Sequence, residues 1–395
     1  MRKKTLLWFF IFWCFVANGQ AFLSEHATIS LLTATPCDYA VYTLYGHTAI
    51  RVRDSIAPNN QIDYVFNYGL FDPSQSNFEY HFAKGDLDYV LGFGDFDSFL
   101  QERKWLNSSV YEQIFNLTPQ EMQAIWTALI FNVQPENRSY RYNYFFDNCA
   151  TRPANLIEQV VNGQIVYVEM PEKETFRDII NHLTRNNTWL TFGCDLVLGV
   201  QTDRTVAFRE TFFIPKYLQN AFSSAQIVNS EGIARPLVSA EYTLYEAVPE
   251  ETEKLFFTPM ACSLLLFILV LFATWIEWRR KKYFRWLDCM LFFMAGIAGC
   301  IIFFLCFLSE QPYVWPNISI GWLHPLHLIG VVLFAVKKIN KAANIYHFIN
   351  FVAIFMMLAL WIFIPQQLNM AFIPLIAILW LRSGYCLIRN KMNFR

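Results

Sequence analysis

The sequence predicts an α+β domain outside the cytoplasm, followed by a membrane domain of five α-helices. Three observations carry this reading. The chain opens on Arg2, Lys3 and Lys4, an apolar run over residues 6–16 and the small or polar residues Ala17, Asn18, Gly19 and Gln20, which is the build of a secretory signal. Near residue 254 the composition changes abruptly from mixed to strongly apolar. Beyond that point, basic clusters occupy every second connection between apolar runs.

With 55% hydrophobic and 16% charged residues, the chain belongs among membrane proteins. A formal net charge of -1 offers no basis for binding nucleic acid. The N-terminal run is short for a membrane span, so residues 1–21 read as a signal peptide cleaved near Gly19 or Ala21. Cys14 has no lipobox around it. Residues 22–254 then form the soluble domain and residues 255–395 the membrane domain.

Within the soluble domain, the β-branched and aromatic residues at 40–53 predict a strand carrying His47. A loop at Pro58, Asn59 and Asn60 leads to a second strand over 62–68. In a hairpin about that loop, opposed residue numbers sum to roughly 114 or 115, which sets Asn67 or Tyr68 across from His47 and Asp63 nearer Arg51 or Val52. Asn67 is therefore the expected partner of the imidazole, with Asp63 the alternative.

Thr118, Pro119 and Glu121 supply an N-cap, a first-turn proline and a capping-box acid for a helix running to about Val133. Its stripe of Met122, Ile125, Trp126 and Leu129 reads as core. Residues 139–146 alternate in strand fashion, and Asp147 and Asn148 then introduce Cys149 at the head of a helix through Val160. A thiol there feels the positive end of the helix dipole and free backbone N–H groups, which lower its pKa and can receive an oxyanion. Pro153 is tolerated in the first turn.

Five apolar spans follow, at about 258–276, 287–308, 318–336, 346–364 and 371–388, each long enough to cross a bilayer. Arg279, Arg280, Lys281 and Lys282, then Lys337, Lys338 and Lys341, then Arg389, Lys391 and Arg395 mark one side. The positive-inside bias puts the C-terminus in the cytoplasm, and an odd number of spans then puts the soluble domain outside, in agreement with the signal peptide. Trp315 and Trp322 read as an aromatic belt at the outer interface.

Cys37, Cys149 and Cys194 face the oxidising side. A bridge between Cys37 and Cys194 would leave Cys149 as the odd thiol; the other reading keeps all three reduced and buried. No zinc site or cofactor is expected. Cys37, His81, His182 and Cys194 lack paired ligand spacing, and His324 with His327 has no further obvious ligands.

Cys149 and His47 together offer a nucleophile and a general base for acyl transfer through a thioester. Taken singly, either residue is explained as well by packing. It is the agreement of helix-head cysteine, strand histidine and extracytoplasmic location that points to catalysis.

The runs YTLYGHTAIR at 42–51, Asp63 with FNYG at 66–69, and NYFFDNCATR at 143–152 resemble the periplasmic domain of the Lnb-type lipoprotein N-acyltransferases. The multi-span tail is similar to that family's transmembrane domain. The resemblance implies a circularly permuted papain-like (NlpC-type) fold, Cys149 as nucleophile and His47 as base. It implies a membrane phospholipid as acyl donor and a diacylglyceryl lipoprotein as acceptor, at the bacterial inner membrane. Asn67 rests on the hairpin argument alone, and Tyr45 and Asn148, within the same motifs, are expected to contact substrate. The competing functions are a membrane-tethered cysteine hydrolase acting on cell-wall peptides or lipids, and a non-catalytic scaffold.

Overall fold

A computed structural model describes residues 22–56, 61–72, 76–168, 173–249, 256–336 and 340–391. The expected signal peptide with Cys14, the loop at Pro58, Asn59 and Asn60, and the basic residues Lys337, Lys338 and Arg395 lie outside these residues.

In chain order the soluble domain comprises β1 (Thr28–Ala34), β2 (His47–Asp54), β3 (Ile62–Leu70), α1 (Phe78–Lys84), β4 (Asp88–Asp95), α2 (Phe96–Trp105), β5 (Val110–Phe115), α3 (Pro119–Asn132), β6 (Ser139–Arg141) and α4 (Thr151–Val160). It continues through β7 (Gln164–Val166), α5 (Phe176–Thr184), α6 (Thr188–Val197), α7 (Pro215–Ser224), β8 (Gln226–Val228), β9 (Ala234–Pro236) and β10 (Val238–Tyr245). Seven strands pair in the order β10-β5-β1-β2-β3-β4-β6, and β7-β8-β9 form a small second sheet.

The large sheet is covered on both faces. On one, Ile29, Leu31, Ile50, Val52 and Phe66 pack against Ile125, Trp126 and Leu129 of α3, Ala154 and Ile157 of α4, and Leu218 and Phe222 of α7. On the other, Leu32, Ala49, Val65 and Val110 pack against Phe99 of α2. Alternation of side chains along each strand sorts neighbouring residues onto these two faces, so Ile50 and Ala49 belong to different cores. Helix α3 has its expected start: Thr118 Oγ1 accepts from the Glu121 N–H, and the Glu121 carboxylate accepts from the Thr118 N–H at 2.7 Å.

Two predicted strands are shorter than their composition implies. Residues 41–45 form a 3-10 turn rather than strand, because Thr43 Oγ1 satisfies backbone groups locally, donating to the Cys37 and Ala40 carbonyls and accepting from the Ala40 N–H. The strand begins only at His47, after Gly46 turns the chain at φ 76°. Similarly, β6 stops at Arg141, since Asn143 closes a turn on Asp147 and its Oδ1 accepts from the N–H groups of Phe145 and Phe146.

The membrane domain consists of α8 (Pro259–Arg280), α9 (Arg285–Phe307), a 3-10 turn (Ile318–Gly321) leading to α10 (Leu326–Ala335), α11 (Asn340–Ala359) and α12 (Phe372–Lys391). Among the described residues, five stretches are long and apolar enough to span a bilayer. The third is broken ahead of Pro325, and the fourth starts six residues before the expected Tyr346. Buried among the helices, Arg382 is ion-paired with Glu277 and with Asp288, whose Oδ1 lies 2.5 Å from its Nε. Such charges are tolerated in an apolar interior only when they are paired.

The two domains meet at one end of the bundle. Asn317 Nδ2 donates to the Leu196 and Val197 carbonyls at the end of α6, Gln366 donates to Leu198, and Asn369 donates to the Asp195 carboxylate. Behind this seam, fully buried Arg177 of α5 binds Asp195 and Asp203 and the carbonyls of Leu198 and Gly199. A second seam joins α1 to residues 309–311 through Ser309 Oγ on the Ala83 carbonyl and the Glu310 N–H on that of Lys84.

Candidate active site

His47 opens β2, and its position is set by Gly46. The backbone there has positive φ, and a Cβ would lie 2.7 Å from the Ala34 carbonyl oxygen, so only glycine fits without displacement. The β2–β3 ladder pairs Ile50 with Phe66 and Arg51 with Val65, a sum of 116 in each case rather than the expected 114 or 115. The ladder between these two strands ends at Ile50 and Phe66, short of His47, and β3 is irregular between Asn67 and Leu70. The contact still forms: His47 Nε2 lies 3.0 Å from Asn67 Oδ1. Asn67 Nδ2 points at the Val65 carbonyl at 3.4 Å, which assigns Oδ1 to the ring and makes Nε2–H the donor. Nδ1 of His47 is then the basic nitrogen.

Asp63, the alternative partner, is engaged elsewhere. Its two oxygens accept from Arg51 Nε and Nη2 at 2.7 Å each, and Arg51 also reaches Glu112. Asp63 is the diagonal neighbour of Arg51, which pairs with Val65.

Cys149 sits two residues before α4 and is partly exposed. The backbone N–H groups of Thr48, the residue beside His47, and of Cys149 itself favour its thiolate form. Gly69 approaches closely behind it: a Cβ at Gly69 would meet Cys149 Cβ at 3.5 Å. The thiol is thus held against the strand end that carries the imidazole.

Two expectations for this helix head are corrected. The thiol pKa is raised rather than lowered: burial takes it to about 11, against the opposing backbone N–H groups of Thr48 and Cys149 and the charge of Arg103. Nor are the first N–H groups free for an oxyanion, since Asn148 Oδ1 accepts from Ala150 at 2.8 Å and from Thr151 at 3.0 Å. Asn148 Nδ2 donates to the carbonyls of Tyr144 and Phe213, and the residue is 2% exposed. Asn148 is therefore a brace for the nucleophile's loop, not a surface open to substrate. The local signal was its place just before a helix, where Asn caps backbone donors.

Burial lowers the His47 pKa to about 4, with the Arg103 guanidinium adding to the fall and Asn67 opposing it. At neutral pH the resting pair is accordingly a neutral imidazole and a neutral thiol, which suits proton transfer during attack rather than a preformed ion pair.

Tyr45 is partly exposed, and its ring lies edge-on to Tyr144 at 5.1 Å. Cys37, Cys149 and Cys194 are all free thiols, so the bridge between Cys37 and Cys194 is not formed. Trp322 is 3% exposed and packs on Phe372, so it belongs to the bundle core rather than to an interfacial belt.

Ligand atoms of Asp288, His347 and Cys386 fall within 4.8 Å of one another inside the bundle. Those of Asp288 are already engaged by Arg382 and Tyr283, and Cys386 lies 3.0 Å from the Tyr283 hydroxyl. The cluster is a hydrogen-bonded knot around the buried ion pairs.

Two family models match the chain: the Lnb N-terminal periplasmic domain over residues 20–182 and the Lnb transmembrane domain over residues 250–393. No curated protein and no solved structure matches it.

Proposed function

This chain belongs to the Lnb family, of lipoprotein N-acyltransferase type, and on that premise we propose that it moves an acyl chain from a membrane phospholipid to a lipoprotein through a thioester at Cys149. The observation that carries the proposal is the packing of Cys149 against Gly69, two residues beyond the Asn67 that orients His47, which sets the thiol at the strand end carrying the imidazole.

In the first half-reaction His47 Nδ1 takes the thiol proton as sulfur attacks the ester carbonyl. The C–S bond forms, the C–O bond breaks, and the proton passes to the departing glycerol oxygen to give a lysophospholipid. In the second, the neutral α-amine of a diacylglyceryl-cysteine attacks the thioester. The C–N bond forms, the C–S bond breaks, and His47 returns a proton from the amine to sulfur.

The seams described above support a role for the membrane domain beyond anchoring. They join the catalytic domain to the connections at residues 309–317 and 366–369, at the end of the bundle opposite the basic residues Arg279, Arg280 and Lys281. With those basic residues inside, the catalytic domain stands at the outer face of the inner membrane, where both lipid substrates are presented.

Mass spectrometry of lipoprotein N-termini in cells with and without the chain tests the proposal. N-acylated termini that disappear on deletion, and are not restored by Cys149→Ala, are expected. Lysophospholipid release without lipoprotein acylation would make it a lipase, released muropeptide a peptidase, and full function of Cys149→Ala a scaffold.

A further inference from the structure

The sheet-facing stripe of α2 runs Phe96, Phe99, Leu100 and then Arg103, a cation where the pattern calls for an apolar residue. Side chains of His47, Ala49 and Arg51 share the sheet face that α2 covers. The guanidinium of Arg51 lies 3.4 Å from the Phe96 ring, and Ala49 shares a core with Phe99. From Arg51 to His47 the strand advances about 13 Å. From Phe96 to Arg103 the helix advances about 10 Å in the same sense. Arg103 therefore arrives at the level of His47, and its positive charge acts on both His47 and Cys149.

The side chain of Arg103 is 14% exposed, and among the described residues its only ion pair is made by Nη2 to exposed Glu102 on its own helix. Its Nε is buried with no hydrogen-bond partner among those residues. A buried donor on a charged group is costly unless something accepts from it. The rim beside it is aromatic and exposed: Trp105 packs edge-on against Tyr39 at 5.1 Å, and Tyr42 stands in the turn before His47. Aromatic side chains of this kind favour the headgroup level of a bilayer.

We propose that Arg103 is the donor-binding residue of this site, receiving the phosphate of a glycerophospholipid while its ester lies against Cys149. The planar guanidinium fork matches a phosphate diester. This inference rests on the acyltransferase reading and deepens it by naming the group that selects a phosphate-bearing donor.

The test uses the full-length chain in mixed micelles and follows acyl-enzyme formation at Cys149 by intact-protein mass spectrometry. Two donors are compared: synthetic phosphatidylglycerol and the uncharged p-nitrophenyl ester of the same acyl chain. Arg103→Gln should raise KM for the phospholipid about tenfold or more beyond whatever change it makes with the neutral ester. Arg103→Lys, which keeps the charge but not the fork, should fall between. Glu102→Gln, which frees Nη2, should lower KM for the phospholipid.

Equal losses with both donors, or an unchanged KM for the phospholipid, would overturn the assignment. Thermal unfolding of each variant separates misfolding from lost binding, with Arg103→Lys as the substitution least disturbing to the fold. Failure of the parent protein to load from either donor would instead remove the acyltransferase reading on which the inference stands.

Discussion

His47 Nε2 and Asn67 Oδ1 meet at 3.0 Å at the end of the β2–β3 hairpin, beyond its last ladder pair, Ile50 with Phe66. Asn67→Ala should therefore free the imidazole to rotate and lower turnover by about ten- to a hundredfold, with thermal stability little changed. Asp63→Ala should do the reverse. It removes half of the Arg51 ion pairing and, allowing for the partial exposure of Asp63, costs about 1–2 kcal/mol of stability with turnover largely kept. Paired rate and melting measurements decide between them, and the opposite ranking would make Asp63 the partner.

The pKa values of the reacting pair predict an unusual pH profile for thioester formation. With His47 lowered to about 4, the base stays unprotonated as pH falls, so the acid limb of Cys149 loading should lie well below that of an ordinary histidine. With the thiol raised to about 11, iodoacetamide should react slowly at pH 7 and accelerate up to that value, because only the thiolate alkylates. An acid limb near 6.5, or rapid alkylation at neutral pH, would indicate a preformed ion pair. Cys149→Ser should remain folded and lose nearly all turnover.

Gly46→Ala should misplace His47. The added Cβ would lie 2.7 Å from the Ala34 carbonyl oxygen on a backbone of positive φ, which costs on the order of 1–3 kcal/mol. A lowered melting temperature together with a drop in kcat is expected, and normal activity would show that the strand end can shift without consequence.

The domain seam should matter more for the second half-reaction than for the first. Asn317→Ala combined with Gln366→Ala removes side-chain bonds to the end of α6. Cys149 should still load from a soluble ester, while transfer to a micellar lipoprotein slows, because two membrane-bound partners must meet at a fixed height. Joining residues 22–254 to one unrelated membrane helix is the stronger version, and transfer equal to the full-length protein would reduce the spans to an anchor.

Arg382→Leu should destabilise the bundle by about 3–5 kcal/mol, since it strands Glu277 and Asp288 unpaired at 0% exposure. Thermal unfolding in detergent measures this directly.

The sequence alone determined what depends on local pattern. Five apolar runs must be buried in lipid, Thr118 and Glu121 must cap a helix, and the motifs around His47 and Cys149 mark the family. Those features depend on periodicity, capping and residue type, all of which are printed along the chain. Tertiary structure decided what depends on register and competition. The hairpin register shifted from a sum of 114 or 115 to 116, and Thr43 and Asn143 drew backbone groups into turns where composition called for strand. Burial raised the Cys149 pKa, and Asn148 spent its side chain on the loop rather than on substrate. Arg103, 56 positions from His47 and 46 from Cys149, was invisible because only the packing of α2 onto the sheet brings it level with the site. Desolvation and long-range packing sum over neighbours that sequence does not order, which is why they emerge only when the chain is folded.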